Sequence, residues 1–246
     1  MAATLAVTLL AHTPDPDRAV AAAGRLCYAP VSAAELTETM SDDDVARLVR
    51  GLVASGHHSA LEHASFTFAV DGVSRACTHQ LVRHRMASYN QQSQRYVNFS
   101  AGDGFVIPPA IAADATAAQV FLRAMDQARE AYDRLVELGL ADGRSRESVQ
   151  EDARFVLPNA AETKIVVTMN GRELRHFFTV RCCNRAQWEI RALAWDLRAR
   201  VKALAPALFH KSGPGCLYGT CPEGRMTCGK PYDAATVDGP PVGTAG

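Results

Sequence analysis

The chain carries no excess of charge of either sign: Lys and Arg together number 26, and so do Asp and Glu. A neutral balance argues against a general nucleic-acid binder or a polybasic membrane-surface protein, although it leaves room for local basic patches. Long hydrophobic runs are also missing. No window approaches the roughly 20 apolar residues that a membrane helix needs. The opening residues, MAATLAVTLLAHTPD, have no basic stretch ahead of their apolar ones, so they do not read as a secretory signal. The 7 cysteines include no CxxC pair, and without an export signal they read as reduced thiols. There is no internal repeat. These absences predict a soluble, cytoplasmic protein.

What remains is ample for a fold. At 246 residues and 48% hydrophobic, the chain can enclose one substantial core. Strand periodicity marks TLAVTLL (4–10), ASFTFAV (64–70) and KIVVTM (164–169). Helical spacing marks PDPDRAVAAAGRLCY, DVARLVRGLVAS behind the N-cap Ser41, and 73–82. It also marks ATAAQVFLRAMDQAREAYDRLVELG, where Val120, Leu122, Met125, Ala128, Tyr132, Leu135 and Leu138 follow a 3.6-residue repeat. Further helices are expected at SRESVQEDARFVLP, capped by Ser145, at GRELRHFFTVRC and at AQWEIRALAWDLRARVKAL. The mixture predicts an α+β fold, a central mixed or antiparallel sheet flanked by long helices. Residues 1–206 read as the catalytic domain and 207–246, rich in Gly, Pro and Cys, as a tail, with VDGPPVGTAG disordered.

The stretch RHRMASYNQQSQRY (83–96) is the least suited to a core. Arg83, His84, Arg85 and Arg95 sit there among Ser88, Asn90, Gln91, Gln92, Ser93 and Gln94. Arg forks clamp phosphate in two-pronged fashion, and Gln, Asn and Ser read nucleobase edges. A hydrogen-bonded surface loop is the alternative. Arg181 follows HFFTV on a largely apolar helix, so it should point inward and require an anionic or multi-acceptor partner. Asn170, Gly171 and Arg172 open that helix, where the dipole favours phosphate. Arg154 supplies another guanidinium.

Two other clusters suggest metals less well. In HHSALEH, His58, Glu62 and His63 lack the i, i+4 His pair of helical zinc motifs. Cys216, Cys221 and Cys228 are more loosely spaced than most structural zinc sites require, even with His210 as a fourth ligand. No metal is expected. The remaining cysteines, Cys27, Cys77, Cys182 and Cys183, lie in apolar helical contexts and read as small hydrophobes.

The pattern formed by Arg83, His84, Arg85, Ser88, Asn90, Ser93 and Arg95 strongly resembles the signature of the flavin-dependent thymidylate synthases. The likeness continues through Glu62, His63, Phe66 and Phe68, then Ala153 to Pro158. It includes Asn170, Arg172, Leu174 and Arg175, and Ala186 to Ile190, covering most of the chain before about residue 206. The resemblance implies FAD as cofactor, with NADPH and 5,10-methylenetetrahydrofolate as co-substrates in converting dUMP to dTMP. It assigns FAD to Ser59, Arg83, His84, Arg85, Gln91, Asn170, Gly171, Arg172 and His176. It assigns dUMP to Gln80, Leu81, Val82, Arg83, Gln91, Gln92, Ser93, Gln94, Arg95, Arg154 and Arg181. It also implies a homotetramer with shared active sites. Gln91 stands where several relatives carry Glu, and His176 where others carry Asn; both remain hydrogen bonders, so tuning is expected rather than loss.

The usual thymidylate synthase activates uracil with a Cys flanked by Pro and His, an arrangement missing here. The resemblance implies that the uracil is polarised electrostatically instead, and Arg181 is the expected catalytic residue, stabilising negative charge on the pyrimidine rather than acting as a base. The rivals are a nucleic-acid-binding module built on Arg83–Arg85 and the Arg-rich segment 172–202, and a zinc hydrolase.

Overall fold

The computed structural model of the protein describes residues 3–99 and 104–237. Of the segment expected to be disordered, all but Val237 lies outside the described residues. Four strands, β1 (Ala6–His12), β2 (Ser65–Ser74), β3 (Ala87–Gln91) and β4 (Glu162–Asn170), form an antiparallel sheet in the order β1-β2-β4-β3. The helices are α1 (Pro16–Leu26), α2 (Ala33–Thr39), α3 (Asp42–Ala54), α4 (Arg75–Leu81) and α5 (Pro109–Ala112). They continue as α6 (Ala115–Ala141), α7 (Arg146–Ala153), α8 (Gly171–Arg181) and α9 (Trp188–Leu204). The α+β expectation holds, with long helices around one small sheet.

Local chemistry explains most boundaries. Ser41, Ser145 and Asn170 accept from the backbone N–H three residues on, capping α3, α7 and α8. The helical spacing read from Val73 starts late, because β2 continues to Ser74, whose hydroxyl accepts from Cys77 N and starts α4. Just before it, Gly72 has φ +69°, and a Cβ there would lie 1.9 Å from the Thr4 carbonyl oxygen. β3 was not foreseen. Its sequence, ASYNQ, is polar, yet its exposure alternates along the chain. It lies at the sheet edge beside β4, where polar side chains are tolerated.

The chain divides into two compact units. The first comprises residues 3–8, 69–83, 89–99 and 104–167. Its core gathers Phe99, Phe105, Met125, Tyr132, Val136 and Val149. The Tyr132 hydroxyl, fully buried, donates to Asn98 Oδ1 at 3.0 Å and accepts from Phe99 N. Of the apolar repeat on α6, Met125 and Tyr132 enter this core, whereas Val120, Leu122, Leu135 and Leu138 stay exposed.

The second unit comprises residues 9–68, 84–88 and 168–237. Phe66, Phe177, Phe178 and Phe209 form a linked aromatic core with centroid spacings of 5.6–6.1 Å. The Gly/Pro/Cys-rich segment begins inside this core: Ala207, Leu208 and Phe209 are at most 1% exposed. Asp17 in α1 accepts from the N–H groups of Ala207 and Leu208 at 2.9 and 2.8 Å. Arg198, buried in α9, donates to the Ser212 carbonyl and the Tyr218 hydroxyl. No helix among the described residues is long and apolar enough to cross a membrane.

Candidate active site

The residues singled out in the sequence fall into two groups, one in each unit. In the first unit, Gln80 and Leu81 end α4, and Val82 and Arg83 follow it. Leu81 is wholly buried, and its carbonyl accepts from the Tyr89 hydroxyl at 2.9 Å. Arg83 and Val82 are exposed. Gln91 closes β3 and donates its amide to the hydroxyls of Thr78 (2.9 Å) and Thr163 (3.3 Å). Gln92 is tied to β4 through its N–H to the Lys164 carbonyl, and its own carbonyl accepts from Arg75 Nη2. Ser93 Oγ accepts from Arg95 N, fixing the turn that follows.

Guanidinium charge converges on that turn. Arg75, Gln92, Ser93 and Gln94 line a small depression with Glu162. Burial lowers the Arg75 pKa, and the nearby Arg154 charge lowers it further. Arg75 Nε is buried without a hydrogen-bond partner. Arg95 lies 2.8 Å from Glu147 and 3.0 Å from Glu151, although its Nε is not aligned for a hydrogen bond. Arg154 Nε donates to the Glu151 carbonyl at the end of α7. Such a cluster of like charges suits an anion.

In the second unit, a cavity of about 560 Å³ is lined by residues including His58, Glu62, Asn170, Arg172, Glu173 and His176. The His58–His63 stretch is a 3₁₀ turn, so its His and Glu do not share an α-helical face. Glu62 instead meets Arg172 Nη1 at 2.6 Å, a half-exposed pair. Ser59 and Arg85 are exposed on the surface of this unit. Gly171 opens α8 with its N–H donating to the Ala64 carbonyl at 2.7 Å, and a Cβ there would come within 2.8 Å of the Leu61 carbonyl oxygen. Arg175, on the same helix, donates to the carbonyls of Leu208 and His210, and burial lowers its pKa to about 10.

Beside this cavity runs a chain of side chains, two of them buried and Arg181 half-buried. Arg181 Nε donates to His84 Nε2 at 3.0 Å, and His84 Nδ1 lies 3.1 Å from Glu173 Oε1. His84 and Glu173 are both under 10% exposed. A guanidinium only donates, so His84 Nε2 must be the unprotonated acceptor. The ring proton then sits on Nδ1 and donates to Glu173. Burial lowers the His84 pKa, opposed by the Glu173 hydrogen bond and assisted by the Arg181 charge, which agrees with a neutral imidazole. The ring also packs edge-on against Phe177 and lies 5.9 Å from the His176 ring.

Arg75, Glu62 as a partner of Arg172, and Glu173 were not singled out as site residues by sequence reasoning. Glu173 had a signal that misleads: Asn170 and Glu173 stand at capping-box spacing. Asn170 does accept from Glu173 N at 2.9 Å, but the Glu173 carboxylate faces His84.

Residues 8–207 match the family described as thymidylate synthase complementing protein. The flavin-dependent thymidylate synthase of Geobacter sulfurreducens is 58% identical over 226 residues, 91% of this chain and 94% of that protein. The flavin-dependent thymidylate synthase of Clostridium tetani is 49% identical over 91% of this chain and 93% of its own. Among solved structures, the UMP/dUMP methylase PolB from Streptomyces cacaoi, bound with 5-Br dUMP, superposes with a TM-score of 0.72 at 28% identity. That match covers 85% of this chain and 94% of the methylase. With the matched family spanning most of the chain and relatives this similar, the chain belongs to the flavin-dependent thymidylate synthases.

Proposed function

We propose that this protein makes dTMP from dUMP, taking its carbon from 5,10-methylenetetrahydrofolate and its reducing equivalents from NADPH by way of FAD. The observation that carries this reading is the 58% identity to a flavin-dependent thymidylate synthase over 91% of the chain. When bound, FAD supplies the hydride, chemistry that the protein orients rather than performs.

The donor set of the second unit fits that cofactor. The cavity at the N-terminus of α8 is lined by Arg172, Asn170, His58 and His176 beside Glu62 and Glu173, and its guanidinium, imidazole and amide groups suit a pyrophosphate and a flavin edge. The exposed Glu62 partner of Arg172 is readily exchanged for a phosphate. In the first unit, Arg75, Arg154, Arg95 and Ser93 would take the nucleotide phosphate, while the Gln91 side-chain carbonyl, whose amide is held by Thr78 and Thr163, and the Gln92 side chain would offer hydrogen bonds to uracil.

Arg181 stabilises the negative charge that develops on the pyrimidine when C5 becomes the nucleophile. The two buried thiols offer no alternative. Cys77 and Cys182 are fully buried, and burial pushes the Cys182 pKa up to about 12, so no thiolate forms there at neutral pH. The Arg-rich C-terminal helix gives no support to nucleic-acid binding: Arg198 is buried, Arg191 donates to the Asn184 carbonyl and Arg200 pairs with Asp196.

We further propose a homotetramer in the cytoplasm. Val120, Leu135 and Leu138 leave an exposed apolar strip on α6, as a subunit interface needs, and all 7 cysteines are free, as in a reducing compartment. Purified protein should show flavin absorbance and form dTMP only with NADPH and methylenetetrahydrofolate together. Turnover that survives complete flavin removal would refute the reading. Light scattering should give four times the chain mass, and an active monomer would refute the tetramer.

A further inference from the structure

We infer that Glu173 is a positioning residue that acts through His84 to hold the Arg181 guanidinium. The inference rests on the reading of Arg181 as the charge-stabilising group. Its physical basis is the direction of each hydrogen bond in the chain. Arg181 Nε can only donate, so the 3.0 Å contact requires a lone pair on His84 Nε2. That leaves the imidazole proton on Nδ1, a buried donor that must be satisfied. Glu173 Oε1, at 3.1 Å, is the acceptor. Remove it, and the tautomer that receives Arg181 loses its reason to persist: a ring proton with no acceptor favours rotation or transfer to Nε2, where it would face the Arg181 N–H.

The location of Glu173 makes it a dependable acceptor. It sits in the first turn of α8, where the helix dipole favours a carboxylate, and its own N–H is held by Asn170. Arg181 is at the opposite end of the same helix, so one rigid element carries both ends of the chain and His84 bridges them from outside it. The groups facing His84 include Glu173, Arg181, His176 and Phe177. Among them, only the Glu173 carboxylate favours the protonated ring, and it is outweighed by burial and the Arg181 charge. Protonation of His84 would break the Arg181 contact, so Glu173 both selects the tautomer and sets how low the pH can fall before Arg181 is released.

The decisive test combines two-bond ¹⁵N–¹H correlation spectra of ¹⁵N-histidine-labelled protein, with His84 assigned by a His84→Gln variant, and steady-state kinetics. The wild type should show His84 protonated on Nδ1 alone near neutral pH. In Glu173→Leu the single Nδ1–H signature should disappear, and kcat for dTMP formation should fall by about 10²-fold, the cost of a misplaced catalytic group. Because Glu173 also lines the cavity proposed for FAD, kcat is compared at equal flavin content, read from the visible absorbance of each variant. Glu173→Gln keeps a carbonyl acceptor and should lose less than roughly tenfold, while the acid limb of its kcat profile moves to lower pH, because the carboxylate charge that favours protonated His84 is gone. A wild-type His84 protonated on Nε2 would overturn the inference, as would Glu173→Leu with an unchanged His84 signature. If Glu173→Gln fell as far as Glu173→Leu with no shift of its acid limb, the carboxylate would have a role other than positioning. The spectra test the Glu173–His84 link directly, so a failure of the Arg181 reading, seen as near-normal turnover in Arg181→Ala, is separately visible.

Discussion

The two groups of site residues hold their charges in different ways. In the first unit, Arg95 meets Glu147 and Glu151 with all three side chains more than 40% exposed. In the second, the Glu173–His84–Arg181 chain is directional, and two of its members are almost entirely buried. Exposed ion pairs contribute about 0–1 kcal/mol and exchange partners easily, whereas a buried polar network is costly to leave half-satisfied. The first arrangement suits a charge that must be handed to an arriving phosphate. The second suits one whose place must already be set when chemistry starts.

The largest effect that separates the two regions should come from the chain end. A chain stopped after Pro206 loses Leu208 and Phe209 from the second core and strands the Asp17 carboxylate. Since Phe→Ala in a core alone costs about 3–5 kcal/mol, this truncation should abolish cooperative folding of the second unit. Circular dichroism melts would check it; an unchanged melting curve would show the segment to be dispensable. Ligand contacts are nonetheless expected to lie within residues 1–206.

Next in size, Arg181→Ala should lower kcat by about 10²–10³, the usual loss for one preorganised donor at a developing charge. Arg95→Ala should instead raise KM for dUMP by roughly 10- to 100-fold, as for one lost hydrogen bond to a charged group, with kcat little changed. Steady-state kinetics that found the two variants failing in the same parameter would erase the contrast between the two regions.

The pH response should be confined to the buried side. The His84 pKa is held below its ordinary 6.5 in the fold, so its contribution to stability is complete above that value and is lost as pH falls. Unfolding free energies between pH 7 and 5 should fall for the wild type, at most by about 1.4 kcal/mol per unit from this one group. The decline should be shallower in His84→Gln. Equal slopes would mean that His84 is not held neutral.

The smallest effect tests the exposed side. Glu147→Gln removes one carboxylate from Arg95 and should leave stability within about 0.5 kcal/mol, while lowering KM for dUMP a few-fold. A loss of stability beyond 1 kcal/mol, measured by urea titration, would show that this pair is structural.

Much of this was legible from the sequence where the cause is local. Ser41, Ser145 and Asn170 cap helices because a side-chain oxygen reaches an N–H only three residues away, so spacing suffices. The strands of β1, β2 and β4 were read from apolar alternation, whereas β3 escaped because its pairing with β4, rather than its own polar residues, makes it a strand. On α6 the repeat predicted one face, but the first unit buries only part of it. The sequence by itself therefore determined the family, the capped helix starts and a supply of Arg, Gln and Ser in one polar stretch. Only the tertiary structure decided which of these groups meet. Arg181 and His84 are 97 residues apart in sequence, and Glu173 stands where a capping carboxylate would be read. Hydrogen bonds fix a tautomer only at contact distance, and the fold alone brings that contact about.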